Sequence, residues 1–266
     1  MHLGLEPVSR SSLSDAVFDQ LCAQILARRI DPGSTLPPER ELATALGVNR
    51  GAIREALKRL AQAGLVEQRH GGGTFVLDYR RSGDLGLLSR LLTSPEGDPD
   101  LLVARSIMEM RAALAPDIAR LCAERATAQQ KRELEALVQT MREVLGQKGE
   151  AEDEKLDRLQ LLSLELWDLL VQGSENIAYR LAFNTLRRTY EQIREALVLP
   201  LAAELRSVER CAAIVAAVGI GDGRRAQAEA QALIALGSEG MDAAFEWLAQ
   251  LDQPQDQDQP EQEQEP

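Results

Sequence analysis

The chain is predicted to be mainly α, with an N-terminal winged helix-turn-helix carrying a small β-wing, a C-terminal antiparallel helical bundle and a disordered acidic tail. Three observations predict this. Residues 36–76, LPPERELATALGVNRGAIREALKRLAQAGLVEQRHGGGTFV, run as helix, tight turn, second helix and glycine-rich hairpin. Most of the remainder is rich in Ala and Leu at helical spacing, with few β-branched runs and only 3% aromatic residues. The last stretch, Asp252 to Pro266, holds only Gln, Asp, Glu and Pro, so it has nothing to bury.

In chain order, residues 1–10 read as a loose arm and Ser14–Arg29 as a first helix with Val17, Leu21, Ile25 and Leu26 on its inward stripe, ended by Asp31-Pro32-Gly33. Pro37 and Pro38 suit the start of a helix, where a missing N–H costs nothing, and Glu39 and Glu41 suit the positive end of its dipole. That helix carries Leu42, Ala43, Ala45 and Leu46 and stops at Gly47. Asn49 caps the next one. Its buried face is Ile53, Ala56, Leu57, Leu60 and Ala61, which turns Arg50, Arg54, Lys58 and Arg59 mostly to other faces. Leu65–Gln68 and Thr74–Leu77 read as strands on either side of the turn His70-Gly71-Gly72-Gly73.

Asp78–Asp84 is polar and interrupts the periodicity, so it reads as a linker between a domain at 1–77 and a bundle at 85–251, with 252–266 as the tail. Bundle helices are expected at Leu85–Leu92, Pro99–Glu124, Ala128–Lys148, Asp153–Val171, Glu175–Leu197, Ala202–Val218, Gly223–Leu236 and Ser238–Leu251. A length of 266 residues with 44% hydrophobic content accommodates two globular domains. Cys22, Cys122 and Cys211 are odd in number, far apart and set in amphipathic patterns, which argues against a disulfide framework or a zinc site. The sequence shows no basic-then-apolar leader and no apolar run of membrane-span length, so no membrane association and a cytoplasmic location are expected. Charge is uneven: residues 1–80 carry a net +1 and residues 81–266 a net −13. Affinity for phosphate depends on the local basic surface, so the acidic second part is compatible with a nucleic-acid partner for the first.

A helix presenting Arg50 and Arg54 at its N-terminal end fits docking in a DNA major groove, where arginine forks onto guanine; a solvated basic face is the competing explanation of the same residues. The flanking turn, cap and wing favour double-stranded DNA. Here the chain resembles the GntR family of bacterial regulators, whose hallmark is matched by Leu36-Pro37-Pro38-Glu39-Arg40-Glu41-Leu42-Ala43, by Val48-Asn49-Arg50, by Ile53-Arg54-Glu55-Ala56-Leu57 and by Gly72-Gly73-Thr74-Phe75-Val76. The resemblance implies DNA contacts at Arg40, Arg50, Arg54 and the wing residues His70, Gly71 and Gly72. Between the two arginines the family has hydroxyl side chains where this chain has Gly51 and Ala52, and Asn49 replaces the preceding hydroxyl residue as a further DNA-facing candidate.

The bundle offers no catalytic constellation: the two histidines, His2 and His70, lie outside it, and its carboxylates sit mainly on polar helix faces, so no enzyme activity is expected. Residues 85–235 resemble the all-helical effector domain of the FadR-like branch of the family. Many members there bind a divalent metal through one aspartate and three histidines. Ser163, Trp167, Cys211 and Leu233 stand at or near those places, so the resemblance implies an effector domain without metal or cofactor. It is most similar to the members that lack the metal site and respond to long-chain acyl-coenzyme A. Arg105, Trp167, Asn176, Tyr179, Asn184 and Tyr190 are the effector-binding candidates: one cation with neutral hydrogen-bonding and stacking groups that a bundle cavity can aim at a small polar or thioester ligand. The same residues are equally compatible with structural packing. The expected activity is that of a homodimeric transcriptional repressor on an inverted-repeat operator, its affinity lowered by a small metabolite, with a fatty acyl-CoA or another small acid as effector; a DNA-binding dimer without any ligand is the alternative.

Overall fold

A computed structural model describes residues 13–69, 71–92, 100–149 and 151–251. The chain divides into two compact units, one up to Ala104 and one from Arg105. The arm at 1–10, His70 and the tail at 252–266 lie outside the described residues.

In the first unit, α1 (Leu13–Leu26), β1 (Thr35–Leu36), α2 (Glu39–Ala45), α3 (Arg50–Gln62), β2 (Val66–Arg69) and β3 (Gly73–Val76) follow in order. The helix α1 ends three residues before the expected Arg29. Arg28 turns into the left-handed region at φ 53°, and the Arg29 and Ile30 amides fold back onto the Gln24 carbonyl, closing the helix without a glycine. As the sequence indicates, α2 starts at Glu39, and Asn49 caps α3 through its side-chain oxygen, which accepts from the Ala52 amide at 2.9 Å. Strand order is β1-β3-β2, all antiparallel, with Val66 opposite Val76 and Leu36 opposite Thr74. The two-residue β1 is too short to show alternation and was not expected. Val66, Val76 and Leu36 turn inward onto Val17, Leu21, Ile25, Ile53, Leu57 and Leu60, a core that buries one face of every element.

The structure corrects the linker. Tyr79–Ser82 forms α4, capped by Asp78, and Leu85–Leu87 forms a 3-10 turn running into α5 (Leu88–Leu91). Leu87 is buried in the first unit's core, with Tyr79 and Leu91 packed against it. Arg90 pairs with Asp19 at 2.8 Å and lies over the Phe18 ring, whose other cationic neighbour is Arg59. The segment 85–92 is therefore part of the first unit rather than the first helix of the bundle. Its anchor is Gly64 (φ +71°), whose carbonyl accepts from the Ser82 hydroxyl and at which a β-carbon would collide with the Ser82 carbonyl.

The second unit consists of α6 (Leu101–Arg125, which crosses the division), α7 (Ala128–Gly146), α8 (Glu152–Gly173), α9 (Ile177–Leu197), α10 (Ala202–Arg206), α11 (Val208–Ile220) and α12 (Gly223–Leu251). Its core includes Ala119, Leu134, Leu159, Leu166, Ile214 and Leu233. Thr127 and Gln130 close a capping box on α7. The segment expected as one helix at Ala202–Val218 breaks at Ser207 (ψ 48°), whose hydroxyl donates to the Ala203 carbonyl and so competes with helix continuation. Conversely, α12 passes through Gly237-Ser238, where the sequence suggested a break. Gly237 and Gly240 are packing notches: a β-carbon on the first would collide with Glu204, and on the second with the Pro200 carbonyl. Among the described residues no helix is long and apolar enough to cross a membrane.

Candidate functional site

The apolar face of α3 is buried to the last atom at Ile53, Ala56 and Leu60, which fixes the rotation of the helix and puts Arg50, Gly51, Arg54 and Lys58 outward. Arg50 and Arg54, one turn apart, share a face. Arg54 donates from Nε to Glu39 Oε2 at 2.7 Å, joining α3 to the first residue of α2, while Arg40 and Arg50 have no carboxylate within 4 Å among the described residues. Asn49 uses its oxygen on the cap, so its amide nitrogen is the group left to face a partner. Ala52 is 9% exposed and belongs to the core side, leaving Gly51 as the open position between the arginines. A β-carbon at Gly51 would stand 3.0 Å from the capping oxygen of Asn49.

At the wing, Gly71 (φ +74°) and Gly73 (φ +94°) adopt conformations that side chains resist, and Gly71 and Gly72 are exposed. Arg69, which sequence reasoning passed over, lies over the Phe75 ring and pairs with Glu67 at 2.8 Å. Strand alternation places Glu67, Arg69 and Phe75 on the sheet face opposite the core, a pattern legible from the register once the hairpin is fixed.

In the second unit the effector candidates separate. Arg105 is exposed, with its guanidinium over the Phe245 ring. Asn184 is exposed and Trp167 is buried. The Asn176 oxygen caps α9 by accepting from the Ala178 and Tyr179 amides. Tyr179 donates to Asp117 Oδ2 at 2.9 Å; burial works to raise that carboxyl, and the hydrogen bonds from Arg120 and Tyr179 outweigh it and hold it low. Tyr190 stands in a second polar cluster. Arg111 of α6 binds Glu204 of α10 with both terminal nitrogens, one at 3.0 Å, and the Glu204 side chain is 3% exposed. Gln160, fully buried in α8, donates to the Arg194 carbonyl at 3.0 Å and accepts from the Arg194 guanidinium, which also pairs with Asp157. Burial pushes the Tyr190 phenol up to about 12, in the field of Arg111 and beside Gln160. Sequence reasoning missed Arg111, Gln160, Arg194 and Glu204. The signal was there for two of them: Glu204 falls among Leu201, Leu205 and Val208, and Gln160 among Leu156, Leu159 and Leu166, each on a buried stripe.

The positions where related effector domains place metal ligands do not fit a metal. Trp167, Cys211 and Leu233 are 7%, 3% and 1% exposed, and burial pushes the Cys211 thiol up to about 12, so it holds its proton rather than offering a thiolate. The Trp167 indole nitrogen is a buried donor without a hydrogen-bond partner among the described residues.

Comparison with known proteins agrees with this architecture. Residues 13–76 match the family model of bacterial regulatory proteins of the gntR family, and residues 106–236 match the FCD domain. The HTH-type transcriptional regulator Mce2R of Mycobacterium tuberculosis is 38% identical over 245 residues, 91% of this chain and 97% of that protein. The fatty acid metabolism regulator protein of Serratia proteamaculans is 29% identical over 175 residues, 66% of this chain and 68% of that one. The solved structure of Lar, which controls the expression of the Listeria monocytogenes agr system, is similar in fold with a TM-score of 0.50 at 16% identity, over 88% of this chain and 99% of that one. The chain belongs to the GntR family of bacterial transcriptional regulators, with a DNA-binding helix-turn-helix followed by an FCD domain; its relatives are regulators and not enzymes.

Proposed function

We propose that the protein is a homodimeric repressor that binds an inverted-repeat operator through Arg40, Asn49, Arg50, Arg54 and the wing residues His70, Gly71 and Gly72, and releases it when a small metabolite, with a fatty acyl-CoA as first candidate, enters the helical domain. The observation that carries the effector half is the character of α9. Among its 21 residues Thr189 alone is buried, while Phe183, Leu186, Ile193 and Leu197, on the same side as Tyr190, are half-buried. Phe183 to Leu197 spans about 21 Å of helix. A half-covered apolar stripe of that length, with Tyr190 and Arg111 near its middle, suits an elongated apolar ligand with a polar group better than a small compact one. Similarity to a fatty acid metabolism regulator supports the same class.

Ligand acts by differential affinity: whatever it gains in the DNA-released state over the DNA-bound state is the amount by which operator binding weakens. Native mass spectrometry of the full chain with a panel of acyl-CoA thioesters and small carboxylates tests the reading, together with titration of a duplex selected by the protein from a random pool. A dimer that holds one thioester per subunit and loses the duplex as it does so is expected. A dimer that binds only a small carboxylate moves the effector to that class, and one that binds nothing leaves a DNA-binding dimer.

A further inference from the structure

We infer that Glu39 is a positioning residue for operator reading: its carboxylate holds the Nε edge of Arg54 and leaves the two terminal nitrogens free as a fork for a guanine. The inference rests on Arg54 reading a base, and it assigns to Glu39 a role that residues at the start of α2 do not have by their place in the helix.

The geometry points to this in three ways. The hydrogen bond runs from Nε at 2.7 Å, and no hydrogen bond joins either terminal nitrogen to Glu39. A guanidinium held by that edge keeps its plane and direction fixed, and the opposite edge still carries two parallel N–H donors, the arrangement that matches guanine O6 and N7. Second, the Arg54 side chain is 68% exposed against 35% for Glu39, so the pair is built as an exposed cation braced from behind. Third, Glu39 comes from a different helix. It is the first residue of α2, fifteen positions before Arg54, and both helices are locked by buried residues, Leu42 and Ala43 in α2 and Ile53 and Leu57 in α3. The brace therefore has a rigid base. Arg50, one turn earlier, has no such acid within 4 Å among the described residues and can follow a phosphate or a base as the DNA presents it.

A carboxylate so close to the duplex also repels phosphate. A positioning acid thus lowers affinity for all sequences while raising discrimination at one base pair, and this opposite movement separates it from an ordinary surface ion pair. The test uses the full chain and random-pool selection on wild type, Arg54→Ala, Glu39→Ala and Glu39→Gln, with thermal unfolding of each. Arg54→Ala identifies the base pair that Arg54 reads. Glu39→Ala is expected to lower the preference at that same base pair about 5–10-fold, to bind unselected DNA about 2-fold more tightly, and to leave other positions unchanged; Glu39→Gln, which keeps an acceptor, retains most of the preference. In the Arg54→Ala background Glu39→Ala should lower no base preference further. If Glu39→Ala shifts all sequences alike, or changes nothing, Glu39 is only a neighbouring charge and the inference falls. If Arg54→Ala itself erases no preference, the assignment of Arg54 as a reader falls and the inference with it. Should Glu39→Ala fail to fold, Glu39→Ser, too short to reach Arg54, takes its place: a loss confined to the Arg54 base pair supports the role, and a shift common to all sequences or no change overturns it.

Discussion

The two units handle polar chemistry in opposite ways. In the winged unit the charged groups are outside: Arg40, Arg50 and Arg54 are exposed over a closed apolar core, and Arg54 is held by its surface partner Glu39. The helical unit also carries exposed ion pairs, but it takes one carboxylate inside: Glu204 is 3% exposed and held by the partly covered Arg111, with the fully buried Gln160 and the half-buried Tyr190 in the same part of the unit. The difference teaches where fragility lies. Exposed cations can be lost without loss of fold, whereas a buried charge deprived of its partner is uncompensated.

The largest expected effect breaks the inner arrangement. Glu204→Ala should lower the unfolding free energy by about 3 kcal/mol in denaturant titration, since it strands Arg111. Replacing both partners, Arg111→Met with Glu204→Leu, should recover most of that loss, and failure to recover would show that the pair supplies more than mutual neutralisation. On the outer side, Arg50→Ala should leave unfolding unchanged and weaken binding to a selected duplex by about 2 kcal/mol, measured by fluorescence anisotropy at fixed salt. Gly64→Ala tests whether the winged unit really includes 78–92: strain at φ +71° and collision with Ser82 should cost that unit about 1.5 kcal/mol, seen as faster hydrogen exchange in α4.

A further effect is confined to alkaline pH. Burial pushes Cys122, Cys211 and Tyr190 up to about 12 in the helical unit and Cys22 up to about 11 in the winged unit, from 9.0 for the thiols and 10.0 for the phenol. A group whose folded pKa is raised favours the fold while protonated, so its contribution is complete below the unfolded value and disappears as pH climbs through the folded one. Stability should therefore fall between about pH 9 and 12, with more groups at stake in the helical unit. Thiol labelling followed by mass spectrometry at pH 8 should find the three cysteines slow to react until the chain unfolds.

The same contrast governs what can be read from residue order. The winged unit is built from local signals: Asn49 three residues before the amide it caps, Glu39 opening α2, and a glycine turn between two short strands, all legible within one stretch of forty residues. The polar cluster is assembled from positions 111, 160, 190, 194 and 204, and nothing local says that they meet. Gly237 shows the cost of local reasoning. A glycine in a helix suggests an end, whereas α12 continues through it and the approach of Glu204 from another helix explains why no side chain stands there. The misplaced linker has the same origin, because the polarity of Tyr79-Arg80-Arg81-Ser82 hides a docking surface supplied by Gly64.

Gly51 gives the molecule a constraint on its own evolution. If Arg50 and Arg54 read the operator as proposed, the open position between them is where a new side chain would add a contact, and a β-carbon there lies 3.0 Å from the oxygen that starts α3. A side chain at position 51 therefore makes the capping oxygen of Asn49 give way by a few tenths of an ångström, so a change of target there is coupled to the start of the helix that carries it.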